Sequence, residues 1–186
     1  MGYEEALRRI NEAAETGATE LNLSYQELTD LPPEIGQLKK ITSLDLRRNQ
    51  LFSLPTELCD LKNLSKLYLG FNQLSYLPEK IDQLTNLSEL YLGFNRLIEL
   101  PLELFKLKNL TLLDLSYNHL TELPPEIVHL TKLKQLDLDD TPLISPPPEI
   151  ATRGIKAIRS YFASLEQGER ELAEVKMILV GERGVA

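Results

Sequence analysis

Tryptophan is absent from this 186-residue chain, cysteine occurs once, and histidine and methionine occur twice each. The lone cysteine, Cys59, excludes an intrachain disulfide and fits a reducing, cytoplasmic setting. Positive charge is in deficit. Twenty lysines and arginines face 28 aspartates and glutamates, a formal net charge of -8, so a nucleic-acid binder held by phosphate contacts is not expected. No apolar run approaches the roughly 20 residues of a membrane span. The start, Met1-Gly-Tyr-Glu-Glu, lacks the basic flank and apolar stretch of a signal peptide.

What the chain has in excess is leucine, at 40 of its 186 positions, 37 of them before residue 150. The excess comes from a 23-residue repeat whose six copies begin at Ala18, Ile41, Leu64, Leu87, Leu110 and Leu133. Each copy reads close to L-x-x-L-x-L-x-x-N-x-L-x-x-L-P-x-x-I-x-x-L-x-x. Of the 42 slots that should be apolar, 40 are; the exceptions are Pro146 and Arg153, both in the last copy. This period and spacing are the leucine-rich-repeat signature.

The residue types dictate the shape of one coil. Leucines at repeat positions 4 and 6, such as Leu67 and Leu69, are two residues apart and leave a short strand on the same face. Successive strands then stack as a parallel sheet at about 4.8 Å per repeat. Asn49, Asn72, Asn95 and Asn118 hold position 9, where a buried amide can satisfy backbone groups of its own and the adjacent coil. Position 15 is proline in all six copies, from Pro32 to Pro147, and suits an extended return segment outside the sheet. The expected fold is α/β: a right-handed leucine-rich-repeat solenoid of six 23-residue repeats over 18–153, with a concave parallel sheet. A single coil cannot bury its seven apolar residues alone, so stability comes from stacking, at ~1.5–3 kcal/mol per fully buried leucine.

Both ends need lids. Residues 1–17 are the expected N-terminal capping helix, with Leu7, Ile10 and Ala14 at helical spacing and Gly17 as C-cap. Residues 154–170 are the expected C-terminal cap or linker helix, with Ile155, Ile158, Phe162 and Leu165 as one apolar stripe. Helical lids without cysteine differ from the disulfide-bonded caps usual outside the cell. The four N-x-S/T sequons, at Asn22, Asn63, Asn86 and Asn109, are read as products of the repeat, not as glycosylation sites.

Beyond the second lid, Glu174-Val175-Lys176-Met177-Ile178-Leu179-Val180 reads as a buried strand running into Gly181-Glu182-Arg183-Gly184-Val185-Ala186. A strand entering a glycine-bearing turn is how a phosphate-binding loop begins. Together with the repeats and the helical linker, this end resembles the Roco proteins, in which leucine-rich repeats precede a Ras-like GTPase domain and a dimerising domain. The resemblance implies that 171–186 is the first strand and start of a P-loop, with Gly181 as its first glycine. It also implies GTP and Mg²⁺ as cofactors of a complete parent only. The loop departs from G-x-x-x-x-G-K-[S/T]: Ala186 stands where the second glycine belongs, and no lysine or hydroxyl residue follows. The chain is therefore expected to hold no cofactor, to be no enzyme and to be mainly monomeric.

No other catalytic or metal-binding arrangement stands out. His119 and His129 fall on different faces of one coil, without metal-ligand spacing. Cys59 falls on the convex segment with no histidine in its coil to activate it.

The outward strand positions give a surface map. Position 5 runs Asn22, Asp45, Tyr68, Tyr91, Asp114, Asp137; position 8 runs Tyr25, Arg48, Phe71, Phe94, Tyr117, Asp140. Position 7 adds Arg47, Ser116 and Asp139, with Gly70 and Gly93 expected to leave open space beside the aromatics. Exposed aromatics ringed by charge have the composition of a protein-binding hot spot. The candidate partner-binding residues are Arg47, Arg48, Tyr68, Phe71, Tyr91, Phe94, Asp114, Tyr117, Asp137, Asp139 and Asp140. The expected partner is a protein or peptide with a basic segment to meet the acidic end, or the parent's own GTPase domain. Nucleic acid and membrane are not expected partners. The leading expectation is a regulatory interaction arm of a Roco GTPase in signal transduction. Its rivals are a freestanding adaptor or secreted effector, and a small GTP hydrolase.

Overall fold

Three-residue strands recur every 23 residues and pair in sequence order, so each coil adds one strand to a growing sheet. The structure, a computed structural model, describes residues 2–182, with side chains described through 173. The strands are β1 Glu20–Asn22, β2 Ser43–Asp45, β3 Lys66–Tyr68, β4 Glu89–Tyr91, β5 Leu112–Asp114 and β6 Gln135–Asp137. All five pairings are parallel and in one register, with Leu44 opposite Leu67 and Leu67 opposite Leu90. That register puts the position-4 leucines in one row inside the coils and leaves positions 3 and 5 facing outward.

The return segments of the first five coils are short 3₁₀ turns, and that of the sixth is a single α-helical turn. Each begins after the position-15 proline, which holds an extended conformation (φ between −54° and −66°). In coils one to five its carbonyl accepts the first bond of the turn; Ile81 N–H to Pro78 O, at 3.0 Å, is typical. Between sheet and turns runs one continuous apolar core. The position-4, -6 and -11 leucines of the middle coils are fully buried. Cys59 is also buried, and burial pushes its thiol up to about 11, so it packs as a small apolar residue.

Three rows of side chains tie coil to coil. Each buried asparagine of position 9 donates to a carbonyl of its own coil and one of the preceding coil, while its oxygen accepts a backbone N–H from that preceding coil. For Asn95 these are Leu92 O at 2.9 Å, Leu69 O at 3.0 Å and Leu74 N at 3.0 Å. In the last coil Thr141 has a single donor and reaches Leu115 O only at 3.3 Å. The hydroxyls of Thr42, Ser65, Ser88 and Thr111 each donate to the carbonyl one repeat earlier, at 2.9–3.0 Å. The sequon residues Asn63, Asn86 and Asn109 form the third row, donating to Lys39, Lys62 and Thr85 carbonyls at 2.7, 2.8 and 2.9 Å.

The ends differ from expectation in three particulars. Helix α1, Gly2–Thr16, closes the first coil and ends at Gly17 with φ +67°. Its buried face is Ala6, Ile10 and Ala13, with Leu7 and Ala14 on the flank. The face is turned by one residue because the small Ala6 and Ala13 let the helix approach the coil more closely than Leu7 would. The second lid is two helices, α2 Pro148–Ala151 and α3 Ile155–Glu182, divided at Gly154 with φ +81°. Ile155, Ile158 and Phe162 are buried, but Leu165 is 46% exposed, because α3 leaves the solenoid after Phe162. Arg159 ties α3 to the coil end, donating to Leu130 O at 2.5 Å.

The third correction concerns the C-terminal segment. Glu174–Val180, read as a strand, lies inside α3, and so does Gly181, read as the first glycine of a loop. A lone strand would leave its N–H and C=O groups without a ladder, whereas continuing the helix satisfies them locally. Residues 183–186, the rest of the expected loop, lie outside the described residues. No helix among the described residues is long and apolar enough to cross a membrane.

Candidate partner-binding face

Two rows of aromatic rings run across the strands, one from position 5 and one from position 8. In the first, Tyr68 and Tyr91 stack with centroids 4.7 Å apart and planes 12° apart. In the second, Phe71, Phe94 and Tyr117 stack at 4.2 and 4.1 Å, nearly parallel. The ring spacing is the strand spacing, so the sheet itself sets up both stacks.

Position 8 carries a second regularity. Tyr25, Arg48, Phe71, Phe94, Tyr117 and Asp140 all have positive φ, between 50° and 58°. No residue here is glycine, and left-handed backbone costs roughly 1–2 kcal/mol per residue. The stack returns ~0.5–1.5 kcal/mol per ring pair beyond the area it covers. Strain and stacking are therefore of one size, and the rows persist because the coils on either side fix them. Phe71 and Phe94 remain 40% exposed, so they are neither sealed in the coil edge nor free of neighbours.

Arginine continues both rows toward the N-terminal end. Arg47 lies over the Tyr68 ring at 5.1 Å and pairs with Asp45 at 2.7 Å; hydrogen bonding to Asp45 raises its already high pKa. Arg48 lies between two rings, 4.3 Å from the Phe71 centroid and 5.4 Å from that of Tyr25. Among the described residues no carboxylate pairs with Arg48. Rings of the two neighbouring coils thus flank its guanidinium, and its side-chain N–H groups make no hydrogen bond among the described residues.

The acidic end is narrower than the sequence implied. Asp114 Oδ1 accepts from Ser116 N–H at 3.0 Å and Ser116 Oγ at 2.6 Å, and Asp137 Oδ1 accepts from Asp139 N–H at 3.0 Å. Both carboxylates are thus partly spent on holding their turns. Asp139 and Asp140 are exposed. Hydrogen bonding to Asp140, and then its charge, raises the pKa of the Tyr117 phenol.

The open space expected at the glycines is not there. A Cβ on Gly93 would lie 2.8 Å from Asp114 Oδ2 and from Ser116 Oγ, and one on Gly70 would lie 3.3 Å from Gly93 O. Asp114 and Ser116 lean over Gly93 because their turn bonds swing them toward the preceding coil.

Position 3 adds residues that the surface map left out. Lys66 pairs with Glu89 at 3.1 Å across two coils, and the Tyr91 hydroxyl donates to Glu89 at 2.9 Å. Burial first, and this bond second, push the Tyr91 phenol up to about 12. The alternation that buries position 4 exposes 3 as well as 5, which was the available signal for Lys66 and Glu89. Tyr25, 68% exposed, closes the position-8 row beyond Arg48 and was likewise not among the candidates. His119 and His129 are both exposed, and the described residues hold no cluster of three metal-ligating side chains.

Comparison with known proteins agrees with this construction. The family model described as "Leucine rich repeat" matches residues 16–74 and 85–143, more than half of the chain. The chain belongs to the leucine-rich-repeat family. No curated protein matches. Among solved structures, a leucine-rich-repeat protein of Leptospira interrogans is 47% identical over 66% of this chain, with a TM-score of 0.65. The Arabidopsis thaliana receptor kinase GASSHO1/SCHENGEN3 ectodomain, solved with Casparian strip integrity factor 2, is 38% identical over 70% of this chain (TM-score 0.64). The plant peptide hormone receptor RGFR1, solved with RGF2, is 32% identical over 61% of it (TM-score 0.54). The matches cover 31%, 17% and 19% of those proteins, so the repeat domain spans less than a third of each. The shared fold is a scaffold suited to protein–protein interaction.

Proposed function

We propose that this chain is an interaction module that holds a protein or peptide segment against its concave sheet face. The observation that carries the reading is the paired aromatic rows, flanked by Arg48 at one end and by Asp139 and Asp140 at the other. Stacked, partly exposed rings offer contact area already ordered before the partner arrives, which lowers the entropic cost of binding. The two plant receptors were solved with partners bound, and similarity to them supports a protein or peptide partner here.

The finer reading is a regulatory repeat arm of a Roco-type GTPase in the cytoplasm, with nucleotide handled by another part of the parent. It rests on the resemblance at 174–185 and on the single, buried cysteine. A freestanding adaptor is the second reading. The helical course of α3 through Glu174–Val180 favours it, since a GTPase sheet requires a strand there. Purification on wild-type bait and on Tyr68→Ala/Tyr91→Ala bait tests the interaction role: a partner retained by the first and lost by the second supports it, and equal retention refutes it. Gene sequence coding for K-[S/T] directly after Ala186, followed by a Ras-like sheet, separates the two parent contexts.

A further inference from the structure

We infer that the concave face reads a short, extended peptide of fixed charge polarity: an acidic residue docks on Arg48, and a lysine or arginine about six residues away docks on Asp139 and Asp140. The inference rests on the interaction reading above and specifies its partner.

Arg48 is the first part of the argument. A guanidinium carries five N–H donors in one plane and binds a carboxylate through two of them. Phe71 and Tyr25, from the coils on either side, lie 4.3 and 5.4 Å from the guanidinium of this exposed side chain, whose N–H donors have no partner among the described residues and are open to a ligand. Its neighbour Arg47 cannot play this part, because Asp45 already occupies its fork at 2.7 Å. Two adjacent arginines are thus differentiated: one is neutralised in place, and the other is stacked and unpaired among the described residues.

The far end supplies the opposite charge. Asp139 and Asp140 are exposed, and no cation pairs with either among the described residues, although Asp140 also meets the Tyr117 phenol; Asp114 and Asp137 are engaged in their own turns. Along position 8 only rings lie between the poles, Phe71, Phe94 and Tyr117; beside them position 5 adds Tyr68 and Tyr91 and then the turn-bound Asp114 and Asp137, and position 3 adds the Lys66–Glu89 pair. The poles are four strand spacings apart, about 19 Å at ~4.8 Å each. An extended chain advances ~3.3 Å per residue, so about six residues span the gap. Those intervening residues should present flat or apolar groups, such as proline or aromatic side chains, to the rings. Single-stranded nucleic acid also stacks on rings, but its backbone needs a basic groove along its length, and this face ends in unpaired carboxylates.

Selection from a random twelve-residue peptide library on the immobilised chain tests the inference. Peptides enriched on the wild type should carry Asp or Glu five to seven positions from Lys or Arg. Arg48→Gln should abolish the acidic preference alone, and Asp139→Asn/Asp140→Asn the basic preference alone. Synthetic enriched peptides with the acidic residue changed to its amide should bind the wild type about tenfold more weakly and Arg48→Gln no more weakly than the parent peptide. Enriched peptides without paired charges, unchanged preferences in the charge variants, or no enrichment all overturn the inference. A selection on Tyr68→Ala/Tyr91→Ala separates the two levels. If that variant, folded by circular dichroism, enriches the same peptides as wild type, the concave-face reading itself fails. If it loses them while wild-type peptides show no charge polarity, only the inference fails. Preferential retention of a single-stranded oligonucleotide over any peptide also overturns it.

Discussion

Phe71 and Phe94 stack with centroids 4.2 Å apart and planes 9° apart, each on a backbone with φ of 58°. The sheet spacing creates the stack, and the stack holds a conformation that neither residue would choose alone.

That balance can be measured by truncating one ring in two ways. Glycine at position 94 loses the stack but relieves the left-handed strain; alanine loses the stack and keeps the strain. Phe94→Gly should therefore be about 1 kcal/mol more stable than Phe94→Ala, the reverse of the order in an ordinary strand. Urea denaturation of both variants checks the order, and an alanine variant equal to or better than glycine would show that position 8 is not strained.

The buried asparagines should be far more costly to lose than the exposed ones. Asn95→Ala strands two carbonyls and one N–H inside the solenoid, a loss of roughly 3 kcal/mol or more. Asn86→Ala removes one exposed bond to Lys62 O and should cost about 1 kcal/mol or less. Comparable midpoints for the two variants would contradict the role assigned to the position-9 row.

Two glycines should respond to alanine with opposite sign. A Cβ on Gly36 would lie 2.9 Å from both the Cβ and the carbonyl oxygen of Glu57, neither of which can swing away. Gly36→Ala should cost ~1–3 kcal/mol. On α3, a Cβ on Gly168 meets nothing within 4 Å, so Gly168→Ala should gain ~0.5–1 kcal/mol through helix propensity. Denaturant midpoints read both signs.

Much of the molecule was legible in advance because its repeat constrains residue type at many sites at once. Leu44, Leu67 and Leu90 follow from period-two alternation, and Asn72 and Asn95 from the need to satisfy buried backbone. What escaped depends on side-chain geometry or on ambiguous patterns. The left-handed backbone under Phe71 was hidden because aromatic residues do not ordinarily adopt it. The stacking of Arg48 on two rings depends on rows from three coils together. Asp114 was read as free charge because its bonds to Ser116 are local geometry that its residue type does not announce. The segment Glu174–Val180 is a short aliphatic run, and periodicity does not separate strand from helix at that length.

Alkaline titration probes the burial of the Tyr91 phenol and its bond to Glu89. The folded phenol is pushed up to about 12, above the ~10 of an unfolded tyrosine, so folding favours the neutral form. Its contribution is fully present below pH ~10 and is lost as pH rises through about 12. The difference between wild-type and Tyr91→Phe phenolate absorbance should therefore rise near pH 12. A rise near pH ~10 would mean that neither burial nor the bond to Glu89 holds the phenol neutral.

The central claim is that the paired ring rows on the sheet face are the binding surface. Calorimetric Kd values for one selected or co-purified partner decide it, measured on wild type, on Tyr68→Ala/Tyr91→Ala, and on a convex-side control, Lys80→Ala. The account predicts at least about a tenfold weaker Kd for the double variant and less than about a twofold change for the control. Unchanged affinity in the double variant, or a larger loss in the control, would contradict it.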